Sequence, residues 1–206
     1  MTYTELRGAF DKATSYIKRD GFPEFLTWLE TETDYFTAPA SGSQHGNFEN
    51  GLLAHSLNVM KFALYNFNLI LKQSPEQEFL RESVILVSLF HDICKCNTYT
   101  VGKKWAKDDQ TNKWYEYKAY IYENTFPLGH GEKSLFMIAQ KMEIKPVEAL
   151  AIRFHMGNFE QGLNIPGMGK SAYDEAFNHQ LVGLISAADV LAAITEEKIN
   201  YKNIKL

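Results

Sequence analysis

Four histidines and two aspartates lie inside or at the edges of apolar, helix-patterned stretches, and this restricts what the chain can fold into. His55 stands in GLLAHSLNV, His91 and Asp92 in SLFHDICK, His130 in PLGHGEKS, His155 in IRFHMG and Asp189 in ISAADVLAA. An ionised carboxylate buried without a partner costs several kcal/mol, so Asp92 and Asp189 require a cation, a dense set of donors or a raised pKa. Taken singly, each histidine has an ordinary explanation as a hydrogen-bonded core residue, and Asp189 as a partner of Arg153. Taken as an ordered set, the six are explained together by one metal centre.

The intervening text reads as mostly helical. Apolar residues recur at helical spacing from Tyr3 to Lys18, and a second helix is expected after Pro23, giving N-terminal packing helices over 1–35. The segment from Thr31 to Gly51 is rich in Gly, Ser, Asn and Pro and reads as a long irregular stretch. Helices are expected over Leu52 to Leu71, through FLRESVILVSLFHDICK with the His-Asp pair on its buried end, at GEKSLFMIAQKM and at PVEALAIRFHM. A last one follows the glycine-rich GNFEQGLNIPGMGK and runs from SAYDEAF through ISAADVLAAITEE, with Ser171 and Asp174 resembling a capping box. Between Asn97 and Thr125 the period changes: TYTV, KKWAK and WYEYKAYIY around DDQTNK predict a β-hairpin inserted into an otherwise all-α domain.

With 206 residues and 45% apolar side chains, the chain suits a single domain spanning 1–206. Its formal charge of −4 is the wrong sign for coating extended nucleic acid, although it leaves room for a local basic patch. The opening MTYTELRGAF lacks a signal-peptide pattern and no apolar run approaches the roughly 18 residues of a membrane span. Cys94 and Cys96 flank Lys95, too close to bridge without severe strain. A soluble, cytoplasmic protein is the expectation, with its oligomeric state open.

The ordered set, with APASGSQHGNFENGLLAHSLNV, HDICK, TYT, LGHGE, FHMG and ADVLAA, resembles the HD-domain superfamily of metal-dependent phosphohydrolases. Within that superfamily it resembles the HD module of bacterial 3′ to 5′ exoribonucleases and small HD hydrolases of bacteria and phages, over about Phe36 to Ala193. The resemblance implies an HD-type helical bundle and one or two divalent metal ions, drawn from Mn, Fe, Ni and Mg. By this analogy His55, His91, Asp92 and Asp189 hold the first ion. His130 and His155 hold a second, with Asp92 bridging. The chain departs from the exoribonuclease pattern at Met156, where that family has a second histidine, and at Cys94, where it has glycine. There is also no room for that family's OB-type RNA-binding domain.

Phosphoester hydrolysis requires an activated water and neutralisation of the phosphoryl oxygens, and a divalent ion supplies both. Asp92 is expected to orient the water. Lys95, four residues after His91 if HDICK stays helical, is expected to neutralise the phosphoryl group. His45, beside Gly46 and Asn47, is a candidate substrate contact, as are Lys103 and Tyr117 among the basic and aromatic residues of the hairpin. The alternative for those aromatics is cross-strand pairing within the hairpin. The expected activity is hydrolysis of a nucleotide or of a cyclic or oligonucleotide phosphoester. Its rivals are a 3′ to 5′ exonuclease on single strands and a catalytically silent nucleotide-binding module.

Overall fold

The structure is a computed structural model that describes residues 1–73, 79–123, 126–157, 170–196 and 198–203. Eight helices and one antiparallel hairpin make up its regular structure among these residues. The helices are α1 (Tyr3–Thr14), α2 (Phe22–Glu32), α3 (Gly51–Gln73), α4 (Arg81–Phe90), α5 (His130–Ala139), α6 (Pro146–Phe154), α7 (Lys170–Ala176) and α8 (Gln180–Thr195). Strands β1 (Tyr99–Lys107) and β2 (Trp114–Tyr122) pair from Tyr99 opposite Tyr122 to Lys107 opposite Trp114. No helix among the described residues is long and apolar enough to cross a membrane.

Burial follows the apolar pattern. α4 is buried at every position from Ser83 to Phe90, and α8 buries Leu181, Val182, Leu184, Ile185, Ala188 and Ala192 on several sides, as expected of helices enclosed by neighbours. α1 and α2 close one end through an aromatic cluster in which Phe25 meets Phe90 edge-on at 4.8 Å and Phe10 meets Phe36 at 5.1 Å. Tyr35, fully buried among them, donates its hydroxyl to the Leu89 carbonyl at 2.7 Å, which removes the cost of burying a polar group.

Helix neighbours run in a ring: α5 packs on α6, α6 on α8, α8 on α3, and α3 on α4, whose following turn returns to α5. Two glycines permit close approaches in it. A Cβ on Gly131 would lie 2.2 Å from the Arg153 carbonyl, so only glycine lets the start of α5 sit against the end of α6. A Cβ on Gly51 would lie 1.9 Å from the Gly46 carbonyl, so the irregular segment 33–50 can fold back onto the start of α3.

Three expectations are corrected. The helix carrying the His-Asp pair ends at Phe90; His91 caps it, and Ile93–Lys95 form a 3₁₀ turn. The last helical stretch is two helices, broken at 177–179, where extended His179 starts α8 afresh; Ser171 lies within α7 rather than ahead of it. In the hairpin, where one strand face of Tyr115, Tyr117, Ala119 and Ile121 is expected to pack on the helices, the buried residues are Ala106, Ala119 and Tyr120, which do not share one face. Trp105 and Trp114 near its tip are 61% and 64% exposed. The element packed on β2 is the 3₁₀ turn Tyr201–Asn203, which covers only part of the ribbon. The glycine-rich stretch after Gly157 and the Ser74-Pro75 break lie outside the described residues.

Candidate metal centre

The ring of helices brings all six predicted ligands to one point. His55 comes from α3, Asp189 from α8, His91 and Asp92 from the turn leaving α4, His130 from the first position of α5, and His155 from the residue after α6. His55, His91, Asp92 and His155 are at most 2% exposed.

Each imidazole is held by its Nδ1 edge. In His91 and His155, Nδ1 lies 2.9 Å from the Ser88 carbonyl and 2.7 Å from the Ile152 carbonyl, three residues back in each case. These oxygens belong to the last turn of their helices and have no intrahelical donor to spare. A carbonyl can only accept, so Nδ1 carries the proton, and Nε2 of the neutral ring is left as a bare acceptor. In His55 the same role falls to Glu196, whose carboxylate oxygens lie 3.0 and 3.1 Å from Nδ1 and which also accepts from the Asn58 amide at 3.2 Å. In His130 it falls to the Cys94 thiol, with Sγ 3.2 Å from Nδ1.

The Nε2 atoms then converge on the two aspartates. His55 Nε2 is 3.1 Å from Asp189 Oδ1 and 3.5 Å from Asp92 Oδ2; His91 Nε2 is 3.8 and 3.6 Å from the same pair. The other oxygen of Asp92, Oδ1, is 3.4 Å from His155 Nε2 and 2.5 Å from His130 Nε2. Among the described residues Nε2 of His91 and of His155 is buried without a hydrogen-bond partner, while that of His55 lies within hydrogen-bond reach of Asp189. Bare acceptors facing carboxylates repel one another unless a positive charge lies between them.

Lys95 supplies one such charge: its Nζ is 2.5 Å from Asp92 Oδ2. A helix would put residues three apart side by side, and the 3₁₀ turn eclipses them, so the change of helix type keeps Lys95 over Asp92. Burial disfavours the ionised Asp92, but Lys95, His91 and His130 outweigh it and hold the carboxyl well below its usual range. Asp189 is held down in the same way, chiefly by His55 against burial. Burial also opposes charge on His55, where Asp189 and Glu196 prevail and push its pKa up to about 9. In His91, touching His55 at a ring spacing of 5.5 Å, burial wins and the pKa falls to about 3. His130 is pushed up to about 10, since Asp92 and Cys94 outweigh its burial.

The donor set fits a divalent ion. Two ligand atoms each about 2.1 Å from one ion, at tetrahedral or octahedral angles, lie about 3.0–3.4 Å apart. The separations of 3.1–3.8 Å among His55, His91, Asp92 and Asp189 are within a few tenths of an ångström of that range. His55, His91 and Asp92 form one group able to hold a metal, His91, His155 and Asp189 another, and Asp92, Cys94 and His130 a third. Asp92 turns one oxygen to each side.

The remaining expected residues fall at different distances from this point. His45 packs its ring 4.9 Å from that of His55 and, with Glu196, forms an outer group beside the centre. Lys95 lines a small cavity over the centre with Tyr99, Tyr122, His130 and Lys133. Tyr117 faces a separate, larger cavity beside Lys104. Lys103 is on the opposite hairpin face, exposed and paired with Glu116 at 2.9 Å. Arg153 pairs with Glu132 at 2.7 Å. Two residues at the centre escaped the sequence reading, Glu196 and Cys94. Glu196 lies seven residues after Asp189, two helical turns on and on the same face, and that spacing was a usable signal. Nothing in the spacing of Cys94 announces its contact with His130, 36 residues away.

Comparison with protein-family models, with curated proteins and with solved structures finds no match.

Proposed function

We propose that the chain is an HD-type metal-dependent phosphohydrolase acting on a nucleotide phosphoester. One observation carries the proposal: three buried Nε2 atoms converge on two carboxylates, those of His91 and His155 with no hydrogen-bond partner among the described residues, and a lysine ammonium stands at the edge of the cluster. A structural network would pair those nitrogens, whereas a catalytic centre leaves its ligand atoms bare.

His55, His91, Asp92 and Asp189 are the residues to hold one divalent ion, and His130 and His155 with the second oxygen of Asp92 are those to hold another. A bound ion of this kind lowers the pKa of water towards neutrality and draws charge from phosphoryl oxygens. The protein's own residues do the rest. Glu196 and the Ser88 and Ile152 carbonyls fix the ring orientations. Asp92 orients the attacking water by accepting its hydrogen bond. Lys95, facing the small cavity with His130, meets the phosphoryl oxygens as charge builds on them. Tyr99 and Tyr122 stand at the mouth and limit the entry of bulk water.

The test is a screen of purified protein with Mn, Fe, Ni, Mg and Zn against mononucleotides, cyclic nucleotides and short oligonucleotides. Metal-dependent release of phosphate or of a shortened product that vanishes in Asp92→Asn supports the proposal. Failure to hydrolyse any of the panel with every metal, in protein shown to bind metal, favours a silent binding module.

A further inference from the structure

The cavity over Lys95 and His130 has a volume of about 100 Å³. Ligand sites for nucleotide-sized molecules occupy roughly 300–1,000 Å³, so this space receives a phosphoryl group and little more. The bulk of any nucleotide must lie elsewhere. A cavity of about 490 Å³ opens between the hairpin, the loop around Gly42 to Asn47 and the C-terminal segment from Lys198 to Lys202. The two cavities adjoin: Gly42 lines the larger one, Tyr99 lines the smaller, and a Cβ on Gly42 would lie 3.5 Å from the Tyr99 ring. Gln44, in the wall of the larger cavity, directly precedes His45, whose ring packs on His55.

The charge of this cavity is unusual for an acidic chain. Lys104, Lys198 and Lys202 line it, and among the described residues no aspartate or glutamate does. Among the described residues Lys198 donates only to the neutral Gln44 side chain, at 2.9 Å, and neither Lys104 nor Lys202 has an acidic partner. Three ammonium groups around one concavity focus positive potential there. Tyr117 and Tyr201 add aromatic surface. The wall is fixed in place: buried Asn47 clamps Ile199 through both its amide groups at 2.7 Å, Tyr115 donates to the Lys202 carbonyl at 3.1 Å, and Tyr201 sits edge-on to Tyr120 at 6.1 Å.

We infer that this cavity is a subsite for a second, phosphate-bearing nucleotide unit, because a mononucleotide whose one phosphate sits over Lys95 has none left to meet Lys104, Lys198 and Lys202; the substrate class is then a dinucleotide or short oligonucleotide. The inference rests on the phosphohydrolase proposal for the chemistry, though binding to the cavity is testable without turnover. Tyr117 stacks the second base, and Lys104, Lys198 and Lys202 neutralise its phosphate. One face of the hairpin therefore acts in recognition, the face of Lys104 and Tyr117, while Lys103 on the other face does not.

The probe is a 5′-phosphorylated adenosine dinucleotide whose bridging ester oxygen is replaced by methylene, titrated calorimetrically into the protein as purified, with adenosine monophosphate for comparison. The dinucleotide should bind at least about tenfold more tightly than the mononucleotide, with a measurable salt dependence. Lys104→Gln/Lys202→Gln and Tyr117→Ala should each remove about tenfold of that affinity, and Lys103→Gln should change nothing. Equal affinity for the two ligands, or dinucleotide binding indifferent to both substitutions, overturns the inference. The ordinary dinucleotide, incubated with Mn, separates this result from the chemistry. Cavity-dependent binding without cleavage contradicts the hydrolase proposal alone, and cleavage of mononucleotides with cavity-independent binding contradicts the subsite alone.

Discussion

Glu196 places a carboxylate oxygen 3.0 Å from Nδ1 of His55, on the opposite edge of the ring from Asp92 and Asp189. The contact fixes which nitrogen carries the proton and aims Nε2 at the aspartates. Replacing an outer partner of a ligating histidine typically weakens metal binding by about 10–100-fold. Glu196→Gln keeps the shape and the Asn58 contact while removing the charge, so chelator competition should show a loss in that range with an unchanged circular dichroism spectrum. Wild-type affinity in this variant would reduce Glu196 to a helix-end residue.

Lys95 separates binding from chemistry. Its Nζ touches Asp92 from the side of the small cavity, so its charge acts on whatever phosphoryl group arrives there. Lys95→Ala should lower kcat by much more than it lowers metal occupancy, since the interaction it makes is strengthened as charge develops. An unchanged kcat would leave Lys95 as a partner for Asp92 alone.

The second half of the centre stands on a different pair of elements. Gly131 lets α5 meet α6, and this brings the rings of His130 and His155 to 5.3 Å. His155→Ala removes one of these rings while leaving His55, His91, Asp92 and Asp189 in place, and should lower bound metal by one equivalent in a protein that still folds. Gly131→Ala should reach the same end by separating the helices, with a further loss of thermal stability because a Cβ there would overlap the Arg153 backbone. Unfolding of His155→Ala at full metal stoichiometry would identify His155 as a core residue.

Stability at low pH should depend on a site remote from the metal. Glu148, fully buried on α6, accepts from Arg19 at 2.8 and 2.9 Å, and Arg19 also reaches Glu82 on α4 at 3.3 Å. Burial alone would raise the Glu148 pKa, but Arg19 and the Lys145 backbone N–H outweigh it and bring it below the usual value. A carboxyl depressed on folding contributes stability that is present above its unfolded pKa and lost as pH falls through the folded one. Removing one member of a buried pair costs about 3–5 kcal/mol, and the retained Glu82 contact puts Glu148→Gln near the lower end, about 3 kcal/mol. Urea denaturation at neutral pH measures this, and the gap between variant and wild type should close on acidification below about pH 4.

The His/Asp cluster was legible because polar groups lodged in or beside apolar helices have few solutions, and their order along the chain is a property of sequence. The helices themselves were legible from their periodicity, and the hairpin from its change of period. The 3₁₀ turn after Asp92 and the break before α8 were not, because both come from tertiary packing overriding a continuous helical pattern. Cys94 and the wall formed by Lys198 to Lys202 were hidden for a related reason, since each gains its meaning from partners distant in sequence. Of the two hairpin residues expected at the substrate, Tyr117 lines a cavity and Lys103 does not, because alternation along β1 turns Lys104 towards Tyr117.

The central claim is that the buried histidines and aspartates exist to hold divalent metal. Elemental analysis after dialysis against Mn, run on the wild-type chain and on Asp92→Asn side by side, tests it most directly. The account predicts one to two equivalents of retained metal in the wild type and a small fraction of that in the variant, since Asp92 offers an oxygen to each half of the centre. A wild-type chain that emerges without metal, or an Asp92→Asn chain that retains as much as the wild type, would contradict it.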